Sequence, residues 1–202
     1  MSVLTPILPT APPVLPRLHR FTVNEYHRMI QTGILTENNN VELLEGVIVP
    51  KMSRNPRHDA CIQLSNPLLL RSLPAGWELR VQSALTLTDS EPEPDFTLVR
   101  GAPRSFTKQH PGPQDLGLVI EASDTSLTFD REEKGRIYAQ ARISCYWIIN
   151  LQDAQIEVYS DPTGPDVQPT YRQRRDYGAN ESVPLVLDGQ VVALIPVAEF
   201  LP

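Results

Sequence analysis

Cysteine is scarce in this 202-residue chain, and several familiar catalytic motifs are absent. The two cysteines, Cys61 and Cys145, form no CxxC pair, which argues against a zinc site and favours reduced thiols in a cytoplasmic protein. The chain has no GxSxG motif, no HExxH motif and no glycine-rich phosphate loop. These absences argue against serine hydrolases, zinc proteases and P-loop enzymes.

Long apolar runs and an excess of basic residues are also lacking. No stretch approaches the ~18 apolar residues of a membrane span, so we expect no membrane attachment. The net charge is −6, whereas a protein that holds nucleic acid by bulk attraction is usually basic. Any nucleic-acid contact must therefore be local, with metal ions offsetting an acidic site.

The first residues, "MSVLTPILPTAPPVLP", contain five prolines and no basic residue. This composition does not fit a signal peptide and favours an extended arm. We predict a Pro-rich N-terminal arm over 1–19, followed by a single domain over 20–202.

Hydrophobic periodicity and turn residues divide the rest of the chain into helices and strands. Thr22 followed by Glu25 is a capping-box pattern, Gly33 fits a helix end, and Pro67 argues for a kink or break in the second helix. The order of elements predicts an α/β domain with a mixed central sheet flanked by helices. Predicted helices cover 21–33, 55–74 and 128–143; predicted strands lie within 38–52 (one), 77–100 (two or three), 116–123, 144–150 and 155–160, with shorter strands after 161.

Two carboxylates lie at the ends of predicted buried strands. Asp95 follows Pro94 and enters an apolar strand, and Glu121 ends the run "LVI". Burying an unpaired charge costs several kcal/mol, so Glu121 needs a cation or a cleft. If the two strands are neighbours, the carboxylates converge, and Mg²⁺ or Mn²⁺ between them relieves their repulsion.

A lysine on the following helix is the third candidate. Lys134, Ile137, Tyr138 and Ala141 are spaced to share one helix face, which places Lys134 at the rim of the buried side. Its long stem reaches toward both carboxylates, and Asp130 is one turn away and able to pair with it. A lysine beside a metal orients hydroxide or stabilises charge on a phosphate.

Five short motifs together resemble a known family. The chain is similar to the Uma2 group of the PD-(D/E)XK restriction-endonuclease-like superfamily over roughly 21–160. The resemblance implies a restriction-endonuclease-like core with extra C-terminal strands, Mg²⁺-dependent (or Mn²⁺-dependent) hydrolysis of DNA phosphodiester bonds, and a homodimer. The motifs are "VELLEGVIV" at 41–49, "PRH" at 56–58, "PDF" at 94–96, "IEAS" at 120–123 and "FDREEKGRIYAQARISCYWIIN" at 129–150.

The resemblance also implies roles for individual residues. Asp95, Glu121 and the carbonyl of Ala122 would bind Mg²⁺. Lys134 would assist the attacking water, and Glu42 would hold the metal or the water. Because Glu45 lies three residues after Glu42 on a strand, only one of these two acids points at the site.

One departure keeps a second hypothesis open. Ser123 stands where the superfamily pattern has its strand lysine. The resemblance to Uma2 implies that the positive role passes to a helix lysine, which matches Lys134. Together with the net charge and the Pro-rich arm, this departure is compatible with a nuclease fold that has lost catalysis and serves as a binding or assembly module.

The remaining candidates each have a structural alternative. Ser123, Asp130 and Tyr138 are candidates for supporting the site. The structural alternatives are a strand-end cap for Ser123, a helix-start acid for Asp130 and a core residue for Tyr138. Arg57 and His58, at a helix start, contact a phosphate or are structural. The basic run "YRQRR" offers Arg172 and Arg174 as nucleic-acid contacts or as charges that protect an edge strand.

Overall fold

The structure is a computed structural model that describes residues 18–202, so most of the predicted N-terminal arm lies outside the described residues. The helices are α1 (Val23–Gln31), α2 (Pro56–Ser72) and α3 (127–140). The strands are β1 (Val41–Leu44), β2 (Val47–Pro50), β3 (Trp77–Val81), β4 (Phe96–Arg100), β5 (Leu116–Ser123), β6 (Cys145–Asn150), β7 (Gln155–Pro162), β8 (Tyr171–Gly178), β9 (Ser182–Leu187) and β10 (Gln190–Pro196). Between residues 18 and 202, no helix is long and apolar enough to cross a membrane.

Six strands form the central sheet, in the order β3-β4-β5-β6-β7-β8. Only β5 and β6 run parallel, and α3 connects them, as a parallel pair requires a crossover. All other neighbours in this sheet are antiparallel. The mixed sheet with flanking helices confirms the predicted fold class.

Each face of the sheet carries its own apolar core, because side chains alternate along a strand. On β5, Ile120 and Ala122 join a core with α2 and the β9–β10 hairpin. Val119 belongs to a second core, with the end of α3 and Leu44 of β1. Glu121 and Ser123 follow the alternation of Val119 and therefore face α3.

The N-terminal elements follow their sequence signals. Thr22 and Glu25 form the predicted capping box at the start of α1. The segment predicted as one strand within 38–52 is instead a hairpin, since Glu45 and Gly46 both have positive φ (47° and 75°) and make a two-residue turn. A Cβ at Gly46 would lie 2.7 Å from Arg20 Cβ, so only glycine fits there.

Of the kink or break predicted at Pro67, the break is wrong, because α2 continues through the proline. The proline is exposed and lies inside a helix that continues to Ser72. Its ring removes the N–H that would bond the carbonyl of Gln63, another exposed residue, so water can satisfy that carbonyl. The buried residues of α2, including Cys61 before the proline and Leu69 after it, pack on the same apolar core and hold both parts of the helix on the sheet.

Candidate active site

Asp95 and Glu121 converge at one edge of the sheet. The pair Phe96↔Ile120 is the last of the β4–β5 register on this side, so one further step places Asp95 opposite Glu121. The backbone N–H of Ala122 donates to Asp95 Oδ2 at 2.9 Å. Since the N–H and C=O of a strand residue point to the same neighbour, the Ala122 carbonyl also faces the Asp95 side.

Asp95 is held by two residues from outside its strand. His58 Nε2, on α2, lies 3.2 Å from Oδ1 and 3.1 Å from Oδ2. Gln82 Nε2 donates to Oδ1 at 3.2 Å. Burial alone would raise the pKa of Asp95, but the hydrogen bond and charge of His58 outweigh burial and lower it. Asp95 is therefore a buried carboxylate that stays ionised.

Glu121 is bound by two side chains of α3. Lys134 Nζ donates to Oε1 at 2.9 Å and Tyr138 Oη donates to the same oxygen at 2.7 Å. Burial raises the pKa of Glu121 to about 8. Burial would lower the pKa of Lys134, but the carboxylates of Glu121, Glu42 and Asp130 outweigh it and raise that pKa, so Lys134 remains an ammonium.

Asp130 provides a third buried carboxylate at the site. Its Oδ2 accepts hydrogen bonds from Ser123 Oγ at 2.6 Å and Ser126 Oγ at 2.5 Å. The lysine one turn away therefore binds Glu121 by hydrogen bond and interacts with Asp130 by charge alone. Burial raises the pKa of Asp130.

Glu42 completes the set of acids. It is a buried residue of β1, and its Oε2 accepts the backbone N–H of Glu93 at 3.0 Å. Glu45 points elsewhere and pairs with Arg136, 2.8 Å from Nη2 to Oε2. Of the two acids on this hairpin, only Glu42 lies at the site. It lines the same cavity as Lys134.

A cavity of about 350 Å³ lies above these acids. Its rim includes Lys51 and Arg54, two cations that sequence reasoning missed, and Asn55, which donates to Asp124 Oδ2 at 2.8 Å across the rim. The segment after β2 carried no motif that marks it as part of a site. Its contribution follows only from the packing of α2 against the end of β5.

The acids of the cavity offer carboxylate oxygens, the ligand type that a hard divalent cation prefers. Both oxygens of Asp95 are hydrogen-bonded, to His58, Gln82 and the Ala122 N–H, so a cation would share Asp95 with these donors. Glu121 Oε2, Glu42 Oε1 and Asp130 Oδ1 make no hydrogen bond to the described residues, while the second oxygen of each acid is anchored. Within residues 18–202, no group of three or more His, Cys, Asp or Glu side chains is arranged so that it could hold a metal ion. Two carboxylates, such as Asp95 and Glu121, are the number that a divalent ion of the Mg²⁺ type commonly takes from a protein, with waters completing its coordination.

Three of the four predicted nucleic-acid contacts lie outside the cavity. Arg57 pairs with Asp124 at 3.3 Å, beside the rim. Arg172 and Arg174 both lie on the edge strand β8. Arg172 pairs with Asp161 of β7, and Arg174 pairs with Asp176 of β8. Three strand spacings separate β8 from β5, about 14 Å. The fourth, His58, is partly buried, lines the cavity and contacts Asp95.

Comparison with known proteins was made for the whole chain. The model of the Uma2 family, described as "Putative restriction endonuclease", matches residues 23–196. A solved structure described as "a putative nuclease belonging to DUF820", from Anabaena variabilis ATCC 29413, has 16% sequence identity and a TM-score of 0.58. The match covers 89% of this chain and 97% of that one, and at this identity it shows the fold alone. No curated protein matches the chain.

Proposed function

Since the chain belongs to the Uma2 family, we propose that it is a metal-dependent endonuclease that hydrolyses phosphodiester bonds of DNA. The observation that carries the proposal is the convergence of Asp95, Glu121 and Lys134 at one cavity. Asp95, Glu121 and the Ala122 carbonyl are the residues that would hold Mg²⁺ or Mn²⁺. A bound divalent ion supplies a water of lowered pKa and neutralises charge on the phosphate.

The protein side of the reaction rests on fixed charges. Because its pKa is raised, Lys134 keeps its proton and acts as a positive charge and hydrogen-bond donor, not as a base. It stabilises the negative charge that develops on the phosphate, a contribution typical of fixed cations in phosphoryl transfer. Tyr138 donates to Glu121 and fixes its orientation. Lys51 and Arg54 at the rim meet the flanking phosphates.

A second candidate is a nuclease fold that binds without catalysis. The observation in its favour is that each of the two facing carboxylates already has a basic partner: Asp95 contacts His58, whose pKa is raised by that contact, and Glu121 contacts the Lys134 ammonium. If this candidate is correct, Asp95→Asn should bind the ligand of the protein as tightly as the wild-type protein does.

Calorimetric titration with Mn²⁺ and incubation with plasmid and single-stranded DNA test both candidates together. In Asp95→Asn we expect Mn²⁺ binding to be lost and cleavage to fall about 100-fold or more, because a charged ligand is replaced by a neutral amide. The matched control is Glu132→Gln, which neutralises an exposed acid of α3 and leaves both properties intact. A wild-type protein that neither takes up Mn²⁺ nor cuts DNA contradicts the nuclease and favours the binding module.

A further inference from the structure

Two buried carboxylates stand in one row across the sheet beneath α3. The register pairs Glu121 with Ile148 and Ile148 with Glu157, so the two acids lie two strands apart, about 10 Å, on the same face. Lys134 binds the first. Arg131 binds the second with two contacts, from Nε to Oε2 at 3.0 Å and from Nη2 to Oε1. The start of α3 is therefore attached to the sheet at two points.

Glu157 is saturated with donors and takes no part in the site itself. It is fully buried, and it accepts hydrogen bonds from Tyr159 Oη at 2.7 Å and Asn150 Nδ2 at 2.8 Å. Arg174 Nη2 lies 3.2 Å from Oε1. Such a buried ionic network is seldom more stabilising than apolar packing, so its presence points to a need for defined geometry.

The segment that Arg131 anchors has an unusual backbone. Residues Asp130–Lys134 form a π-helical stretch in which the Gly135 N–H donates to the Asp130 carbonyl. Tyr146 Oη donates to the same carbonyl at 3.0 Å. Single π-helical turns within helices are rare and occur frequently at functional sites.

The π-helical stretch brings three side chains to one face. In an α-helix each step of four residues drifts by about 40°, so Asp130, Lys134 and Tyr138 would spread over about 80°. A π-helical stretch turns less per residue, because its hydrogen bonds span five residues instead of four, and this offsets the drift. As a result, Lys134 and Tyr138 both donate to Glu121, and Asp130 accepts from Ser123, two residues further along β5.

We propose that Glu157 is a positioning residue that acts through Arg131. It fixes the rotation of the π-helical segment about the helix axis, and this rotation aims Lys134 at Glu121 and Asp130 at the cavity. The consequence for cleavage rests on the proposed nuclease function, whereas the consequence for the position of Lys134 does not.

Chemical acetylation of lysine, read by mass spectrometry, tests the position directly. The chain has three lysines, so Lys51 and Lys108 serve as internal references for Lys134, which is buried. In Glu157→Gln we expect Lys134 to be acetylated about fivefold faster or more, relative to Lys108, because its segment opens more readily. Alkylation of the buried Cys61 thiol, unchanged in the same sample, shows that the opening is local.

Matched variants separate positioning from general loss of folding. Arg131→Lys keeps the charge but not the two-pronged contact, and we expect the same faster acetylation of Lys134. Glu132→Gln, with an equal charge change on the exposed side of the segment, keeps the wild-type rate. Wild-type acetylation rates in both Glu157→Gln and Arg131→Lys would overturn the proposal.

A double-mutant cycle carries the test to catalysis. Glu157→Gln should lower kcat about tenfold to a hundredfold with little change in KM, since displaced catalytic groups still permit substrate binding. In a Lys134→Met background the same change should lower kcat several-fold less than it does in the wild type, because much of its effect passes through Lys134. Additive losses would overturn the proposal. If the wild-type protein cuts no DNA, the nuclease function fails and the acetylation experiment alone decides the role of Glu157.

Discussion

Gln82 carries a clear sign of local strain beside the candidate site. Its φ is +46°, a value that side chains other than glycine rarely adopt. Its backbone N–H donates to the Asp95 carbonyl at 2.9 Å, and its side-chain amide donates to the Asp95 carboxylate. Strained residues of this kind persist where the surrounding structure holds them, often at functional sites. Gln82 therefore holds Asp95 in place while its own backbone adopts an unfavourable conformation.

Two substitutions at this residue separate strain from contact. Gln82→Ala and Gln82→Gly both remove the amide that binds Asp95, but only glycine relieves the positive φ. We expect Gln82→Gly to be more stable than Gln82→Ala by about 1 kcal/mol, measured by urea unfolding. Equal unfolding free energies would show that the backbone at this position is not strained.

At the scale of elements, α3 and the β1–β2 hairpin assemble the site around the sheet. The hairpin turn brings Glu42 in, and α3 contributes Asp130, Lys134 and Tyr138. The helix is attached through Glu157 of β7, whose pKa is lowered to about 2: burial would raise it, but Arg131, Tyr159, Asn150 and Arg174 outweigh burial. The contact between α3 and β7 therefore depends on an ionised carboxylate.

This contact makes a definite prediction for stability against pH. A carboxylate with a lowered pKa stabilises the fold fully above the pKa of the unfolded chain, about 4.3, and loses that contribution as the pH falls toward 2. Near neutral pH, the unfolding free energy of the wild-type protein should exceed that of Glu157→Gln by about 2 kcal/mol. This figure allows for the partial exposure of the arginines that contact Glu157. The difference should vanish as the pH approaches 2. Urea unfolding of both proteins between pH 7 and 2 measures it, and a difference that is constant with pH would contradict the prediction.

The whole molecule is acidic, and this bears on how it meets a polyanion. With a net charge of −6, long-range attraction to DNA is absent, and six acids line the cavity. They are Glu42, Glu93, Asp95, Glu121, Asp124 and Asp130. Divalent ions would compensate both the cavity and the approaching phosphates. The homodimer and the cytoplasmic location expected from the sequence stay predictions.

Removal of divalent ions should therefore abolish binding as well as cleavage. We expect the affinity for a short labelled DNA to fall at least about tenfold when EDTA replaces Mn²⁺, because the acidic cavity then repels the phosphates. Fluorescence anisotropy measures this, and Asp95→Asn in Mn²⁺ should resemble the wild-type protein in EDTA. Equal affinity with and without the metal would place DNA binding outside this cavity.

Much of the fold was predictable because its signals are local. The capping box at Thr22, the apolar run before Glu121 and the spacing of Lys134 and Tyr138 act within a few residues, and the corresponding helix starts and strand ends are observed. The break that was considered at Pro67 is wrong, because the exposed position of the proline lets the helix continue. It missed the β1–β2 turn, although a glycine stood at the required position.

By itself, the sequence determined that one carboxylate precedes a buried run, that a second ends another such run, and that a lysine lies at the rim of the buried face of the next helix. Only the tertiary structure decided which residues surround them. His58 reaches Asp95 across 37 residues and Arg131 reaches Glu157 across 26. Periodicity and capping act over about one helical turn, whereas such contacts depend on strand order and register, which arise when the chain packs as a whole.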